Sequence, residues 1–300
     1  MKRMPQIAWL ADGKRLHLQD GPIDLIVEAV GSKADVREAY EAAARRFSGL
    51  LDQLCEELAE LRMAARPEGC SLRGAVARRM HDAVAPFAAE QFITPMAAVA
   101  GAVAEEILGA MLNAAPLDRA YVNNGGDIAL HLADGQRFSI GLMDRPDRQG
   151  VMRMMVVDSR DPARGIATSG RHGRSFSLGI ADAVTVLARS AAQADAAATV
   201  IANAVDLPGH PGIARCPANE VQPDSDLGAR LVTRDVGQLS DREVAAALEA
   251  GAARARELLA SGLIEGAILR LSGAASVVGP VRQESRAEPE RQRLPEMTHA

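Results

Sequence analysis

The chain contains few of the residues on which several protein classes depend. Of its 300 residues only 3 are cysteines, and Cys55, Cys70 and Cys216 lie far apart in the sequence. This spacing fits neither a disulfide framework nor a zinc-binding pattern. Aromatic residues are equally scarce, with 1 Trp, 2 Tyr and 5 Phe. So few rings offer little for single-stranded nucleic acid to stack on, which disfavours that class of partner.

Long apolar runs and a strong charge bias are also missing. No uncharged apolar stretch approaches the ~20 residues that cross a membrane. The first residues, MKRMPQIAWLADGKR, lack the apolar segment of a secretory signal. A formal net charge of −5 disfavours binding to nucleic acid. We therefore expect a cytoplasmic protein that binds neither membranes nor nucleic acid.

What the sequence does contain is a large apolar fraction, 48%, arranged in strand and helix patterns. Strands are predicted at residues 7–10, 15–18, 23–30, 119–122, 128–132, 137–142, 152–157, 183–188, 231–236 and within 264–278. Helices are predicted at residues 36–61, 72–84, 94–112 (with Thr94 as N-cap), 191–205 and 241–259. The segment 207–226, rich in Pro and Gly, predicts a loop. Because strands mostly follow strands, the pattern favours an α+β fold, with antiparallel sheets packed with long helices.

The domain organisation follows from a change in composition near the end of the chain. Residues 1–280 are expected to form a single domain. Residues 281–300 are rich in Arg and Glu and carry two prolines. Such a segment buries too little apolar surface to offset its ordering entropy, so we predict a disordered, charged tail.

The first candidate site is the segment Asn123-Asn124-Gly125-Gly126-Asp127 between two predicted strands. It has the composition of a tight hairpin turn, which is the simpler interpretation. Alternatively, the turn is a notch in which the N–H groups of Gly125 and Gly126 face a ligand and Asp127 accepts hydrogen bonds from it.

The second candidate site is the segment 165–174, GIATSGRHGR. Hydroxyl groups on Thr168 and Ser169, the backbone at Gly170 and two arginines could together hold a phosphate. A solvated loop explains the same composition. His172, taken alone, is typical of a surface histidine.

The third candidate site is a predicted helix face. Asp195 and Thr199 are four residues apart, so they lie one turn apart on one side of the helix. A carboxylate and a hydroxyl are hard oxygen ligands that suit Mg²⁺. A solvated Asp is the alternative interpretation.

A second helix, near Gly101, is rich in small residues and predicts close approach of another backbone.

The order of these motifs resembles that of the ApbE family, the FAD:protein FMN transferases. A Gly-Gly-Asp turn comes first, then a Gly-x-Ala-Thr-Ser-Gly segment, and then Ala-Asp-Ala-x-x-Thr on a helix. The segments 94–101 and 224–228 are similar to a cytoplasmic, ApbE-like branch found in archaea and bacteria. The resemblance covers roughly residues 5–280 and is strongest over 91–205.

The resemblance implies a function and a set of roles. ApbE enzymes use Mg²⁺ to cleave FAD and attach FMN to a Thr or Ser hydroxyl of an acceptor protein. By this resemblance, Asp195 and Thr199 would bind the metal. The turn at Asn124, Gly125, Gly126 and Asp127 would lie at the flavin, and Thr168, Ser169 and Gly170 would border the nucleotide. The implied partners are a nucleotide and an acceptor protein; a homo-oligomer stays open.

The chain also departs from the family. ApbE transferases carry a His-x-x-Asp-Pro-x-Thr-Gly segment where this chain has the shorter sequence 174–182, RSFSLGIAD. His172 and Asp182 are the candidates for a replacement catalytic base. Whether the protein is an enzyme therefore stays open. The alternatives are an enzyme of cofactor biosynthesis acting on another phosphorylated small molecule, and a non-catalytic binding or scaffold protein.

Overall fold

A computed structural model describes residues 4–143 and 151–284 of the chain. Its strands are β1 (Gln6–Trp9), β2 (Leu16–Asp20), β3 (Ile23–Val30), β4 (Arg119–Asn124), β5 (Asp127–Leu132), β6 (Arg137–Met143), β7 (Val151–Asp158), β8 (Gly165–Ser169), β9 (Ala183–Ala188), β10 (Ile213–Pro217), β11 (Leu231–Val236), β12 (Gly266–Leu271), β13 (Ala274–Val278) and β14 (Gln283–Glu284). Its α-helices are α1 (Lys33–Phe47), α2 (Leu50–Glu56), α3 (Leu58–Leu61), α4 (Ala75–Val84), α5 (Val99–Ala114), α6 (Ala191–Ala204), α7 (Ala218–Val221) and α8 (Asp241–Ala260).

Nine strands form the central sheet in the order β1-β2-β3-β4-β5-β8-β9-β12-β13. Each neighbouring pair in it is antiparallel. The strands β14, β7 and β6 form a second sheet, and β10 pairs with β11. The predicted α+β fold with antiparallel sheets packed against helices is therefore confirmed.

Both faces of the central sheet are covered. The larger core lies between one face and the helices, where side chains such as Val122, Val186 and Ile201 are buried. On the other face, Ile166 and Ile268 pack with Met155 of the three-stranded sheet. Burial of apolar surface on both faces is the main favourable term that holds the layers together.

The apolar helix α5 and the start of α6 are in close backbone contact. A Cβ atom added to Gly101 on α5 would lie 2.2 Å from the carbonyl oxygen of Ala191. A Cβ added to Gly165 on β8 would lie 2.1 Å from the backbone of Ser190. The first turn of α6 is thus held between two glycines, which confirms the close approach predicted around Gly101.

The segment Pro95–Ala114 is long and apolar enough to cross a membrane by length and composition. Half of it is buried inside the fold, where α5 packs against α1, α4 and α6. Packing in the protein core therefore accounts for its apolar composition.

Two helix predictions are wrong in detail. The predicted helix 36–61 is broken, because Ser48 ends α1 and Gly49 has a φ of +81° before α2 begins. Thr94 makes no side-chain cap, and a 3₁₀ turn, Pro95–Ala98, precedes α5. The hydroxyl of Thr94 instead donates to the carboxylate of Asp226, 132 residues further along the chain.

The prediction of a loop over 207–226 is wrong, because β10 and α7 lie within this segment. Pairing with β11 satisfies the backbone groups of β10 despite the Pro-rich composition. Of the predicted tail, residues 285–300 lie outside the described residues. Arg282 pairs with Asp158 and Asp161, and β14 joins β7.

Candidate functional site

Four elements meet at the candidate site. They are the start of α5, the first turns of α6, the two-residue turn between β4 and β5, and the end of β8. Because each comes from a different part of the chain, the central sheet and the contact at Gly101 set their relative positions. The site is therefore a product of the whole fold.

Asp195 lies at the centre of this arrangement. Its carboxylate accepts a hydrogen bond of 3.0 Å from the backbone N–H of Gly101. Burial raises the pKa of Asp195 well above its ordinary value, and the nearby charge of Asp127 raises it further. The side chain of Asp195 is therefore half-buried against α5 and not a freely solvated helix Asp.

Asp127 is the second carboxylate of the site. Burial raises its pKa to about 7, although the N–H of Thr168 and the charge of Arg174 both act to lower it. The Thr168 N–H donates to the Asp127 carboxylate over 3.1 Å. Two ionised carboxylates in one site repel each other, and a cation bound beside them would offset this repulsion.

The turn between β4 and β5 is the predicted hairpin turn. Gly125 and Gly126 have φ angles of +66° and +117°, which favour glycine at both positions. The N–H of Gly126 donates to the side chain of Asn123 over 2.8 Å, so this donor already has a partner within the turn. Ligand binding at the turn stays a prediction. The amide of Asn124 donates to Ala100 O and ties the turn to the helix side of the site.

Arg174 lies across this turn. A Cβ atom on Gly125 would come within 2.3 Å of an Arg174 guanidinium nitrogen, and the guanidinium also donates to Pro22 O over 3.3 Å. Its charge acts on Asp127. Arg174, one of the two arginines of the segment 165–174, is thus a cation at the glycine turn.

The segment from Thr168 to Gly170 borders the site in part as a strand. Thr168 and Ser169 end β8, and the hydroxyls of Thr168 and Thr185 are hydrogen-bonded at 2.9 Å. Gly170 packs against Asp182, whose carbonyl oxygen would lie 2.4 Å from an added Cβ. This close backbone contact requires a glycine at position 170 whether or not a ligand binds.

His172 and Asp182, the candidate replacement bases, are brought together. His172 Nε2 lies 3.2 Å from the Asp182 carboxylate, which also accepts hydrogen bonds from Arg171 and from the N–H of Ser272. With three donors on Asp182, that carboxylate acts first as an anchor that orients His172. Their catalytic roles stay predictions.

The donor set at α6 fits a hard cation. Across the described ranges, no three His, Cys, Asp or Glu side chains cluster closely enough to hold a metal ion by themselves. Asp195 and Thr199 do share a helix face, and Asp127 adds a second carboxylate whose charge reaches Asp195. Few protein oxygens and room for water and phosphate ligands are typical of Mg²⁺ sites.

The raised pKa values predict how stability depends on pH. Folded Asp127 keeps its proton to about pH 7, whereas in the unfolded chain it ionises near 3.8. The stabilisation is therefore complete below about pH 4 and is lost as the pH rises towards 7 and above. Asp127→Asn keeps the acceptor for the Thr168 N–H and removes the charge.

We expect the melting temperature of Asp127→Asn, measured by circular dichroism in EDTA, to exceed that of the parent at pH 8. The gain should be at least about 2–4 °C, the shift that 1 kcal/mol produces in a protein of 150–250 residues. At pH 4.5 the two should melt together. The prediction would be contradicted if the melting temperatures of the parent and the variant changed by the same amount between pH 5 and pH 8.

The chain matches the model of a known protein family over most of its length. The family model described as AbpE bacteria matches residues 7–277. The chain belongs to this ApbE-like family. The match includes both carboxylates, the glycine turn, His172 and Asp182, so all the candidate residues lie within the family's extent.

Curated relatives carry the name UPF0280 protein. One from Methanopyrus kandleri is 34% identical over 176 residues, which are 57% of this chain and 68% of the relative. One from Methanothrix thermoacetophila is 39% identical and one from Methanococcoides burtonii 37%, over 38% and 40% of this chain. The matches span 46% and 49% of these two relatives, about half of their length.

Solved structures of two flavin transferases are similar over most of the chain. ApbE of Vibrio cholerae is 12% identical with a TM-score of 0.48, covering 91% of this chain and 96% of that one. The apo form of the flavinyl transferase ApbE of Pseudomonas stutzeri is 12% identical with a TM-score of 0.45, covering 92% and 95%.

Proposed function

We propose that this protein binds FAD or a related flavin nucleotide together with Mg²⁺, in the cytoplasm, as a member of the ApbE-like family. The observation that carries the proposal is a pair of carboxylates whose charges act on each other: Asp127, directly after the glycine turn, and Asp195, bonded to the start of α5. Two carboxylates with raised pKa values in one site favour a divalent cation, and a cation there favours phosphate oxygens.

Each residue has a role under this proposal. Asp195 and Thr199 would hold Mg²⁺, which when bound would neutralise the charge of a pyrophosphate. Gly101 orients the Asp195 carboxylate through its N–H, and Asn124 fixes the turn against the start of α5. Arg174, lying over Gly125, provides a positive charge for an anionic ligand at the turn.

The residues around Ser169 and Gly170 would border the nucleotide. His172, whose ring lies against the Asp182 carboxylate, and Asp182 itself are the candidates for a base that replaces the missing family acid. An acceptor protein is thus a proposed partner of a transfer reaction.

Replacing Asp195 tests the metal. Asp195→Asn keeps an oxygen that can accept the Gly101 N–H, but it removes the charge that would bind Mg²⁺. We expect the variant to lose most of the Mg²⁺ dependence of FAD affinity, measured by titration calorimetry with and without Mg²⁺.

The matched control is Asp52→Asn, which removes the same charge from an exposed position on α2. It should bind FAD with the affinity and Mg²⁺ dependence of the parent. Equal Mg²⁺ dependence in Asp195→Asn and the parent would refute the metal assignment. A parent that does not bind FAD would refute the flavin assignment.

A further inference from the structure

A cavity of about 490 Å³ lies beside the C-terminal half of α6, lined by residues other than those of the candidate site. Its walls come from α6, α8, the β10–β11 pair and the segments around Gln91 and Leu178. This volume is within the range of small-molecule sites. We call it the arginine cavity, because Arg215, Arg230 and Arg254 line it.

The lining of the arginine cavity carries more basic than acidic side chains. Against three guanidinium groups, Asp206 is the single acidic residue in its lining, and it is paired with Arg215. Arg254 pairs with Glu90 and Glu257, whose side chains are 64% and 63% exposed and lie outside the lining. These pairs balance the charges of Arg215 and Arg254, and among the described residues they leave Arg230 as the lining arginine without an ion pair.

The remaining arginine is held over an aromatic ring. The Arg230 guanidinium carbon lies 3.1 Å from the centre of the Phe92 ring, and one of its nitrogens donates to Leu227 O. The side chain of Arg230 is exposed, and its contact with Phe92 restricts the guanidinium while leaving further N–H donors for another acceptor. A fixed arginine fork loses little entropy when it binds an oxyanion.

The other lining groups suit the rest of a small ligand. The amides of Gln91 and Asn203 can donate or accept hydrogen bonds, and Leu178, Val200 and Leu231 offer apolar surface. A few polar groups in an otherwise apolar wall are typical of ligand pockets.

We propose that the arginine cavity binds a small molecule through an oxyanion group, a phosphate or a carboxylate, held by Arg230 and Arg254. This site goes beyond the flavin and Mg²⁺ binding proposed above. It contains neither Asp127 nor Asp195, and it needs no metal ion.

The backbone of Leu178 connects this cavity with the candidate site. Its N–H donates to the Asn203 side chain over 3.0 Å, and its carbonyl accepts from Arg215. The same short segment carries Arg174 at one end and Asp182 at the other. A ligand in the arginine cavity therefore borders the segment that holds a cation over the glycine turn.

The test is titration calorimetry of the full chain in EDTA, with pyrophosphate in one series and malonate in another. The parent should bind at least one of them with a saturable 1:1 isotherm, and the tighter of the two identifies the oxyanion as phosphate or carboxylate. Arg230→Gln and Arg254→Gln should each weaken that binding about tenfold or more, since each removes a charge-assisted hydrogen bond.

The matched controls are Arg234→Gln on β11 and Arg256→Gln on α8, which remove the same charge from exposed positions outside the lining. They should bind as the parent does. Equal weakening in controls and test variants, or no saturable binding of either anion to the parent, would overturn the proposal. Binding that Asp195→Asn abolishes and the two cavity variants leave intact would also overturn it, since it would place the anion in the candidate site.

Discussion

Gly101→Ala is expected to destabilise the protein by about 1–3 kcal/mol or more, the usual cost of forcing extra atoms into a packed interior. The new Cβ would lie 2.2 Å from Ala191 O and 2.7 Å from Ala192 N. These neighbours are helix backbone and cannot rotate away, so α5 and α6 would have to separate. The free energy of unfolding, measured with urea, checks the prediction.

Gly109→Ala is the control, because it lies on the same helix with no atom within 4 Å of the added Cβ. Alanine has the higher helix propensity, so this variant should be more stable than the parent by roughly 0.5–1 kcal/mol. Opposite signs for two identical substitutions eight residues apart would isolate the contact with α6. A Gly101→Ala variant as stable as the parent would show that the two helices do not pack this closely.

The second large expected effect concerns FMN transfer. The segment 174–182 lacks the acid and the Thr-Gly turn that the resemblance places beside the acceptor hydroxyl, and Asp182 is engaged by Arg171, His172 and Ser272. We expect transfer of FMN from FAD to an ApbE acceptor peptide to be ~10²–10⁴-fold slower than that of an ApbE transferase, the usual contribution of a general base.

Mass spectrometry of the peptide after incubation with FAD and Mg²⁺ measures the transfer, and the same mixture in EDTA is the control. Rapid, stoichiometric addition of FMN would prove the prediction wrong. The replacement base would then be sought first in the pair of His172 and Asp182, and His172→Ala would separate the histidine from its anchor.

Local patterns predicted much of the fold. The turn at Gly125 and Gly126 was predictable because two consecutive positive φ angles need glycine-rich sequence. The break after Phe47 was not, because the three-four apolar spacing continues through Gly49. Strand β8 was missed altogether, because pairing of Thr168 with Thr185 outweighs a composition typical of loops.

The sequence motifs supplied the candidate site residues, whose roles stay predictions, but not the environment of these residues. The spacing of Asp195 and Thr199 indicates a shared helix face, and it cannot indicate that α5 covers the aspartate. That cover comes from Gly101, 94 residues earlier in the chain. Burial raises the pKa of Asp127 and of Asp195, and the charge of Asp127 raises that of Asp195 further, whereas the Gly101 N–H acts to lower it. Local spacing in the sequence shows none of these effects.

The contact between Gly101 and Ala191 also has a consequence during synthesis. The helix α5 leaves the ribosome about 90 residues before the turn of α6 that covers it. At 5–20 residues per second, its apolar surface stays uncovered for roughly 5–20 s. During that interval a segment with the length and composition of a membrane span, Pro95–Ala114, can be shielded by α1, α4, β4 and β5, which precede α6 in the chain. We therefore expect early pairing of β4 with β5 to protect the nascent chain from aggregation until α6 is made.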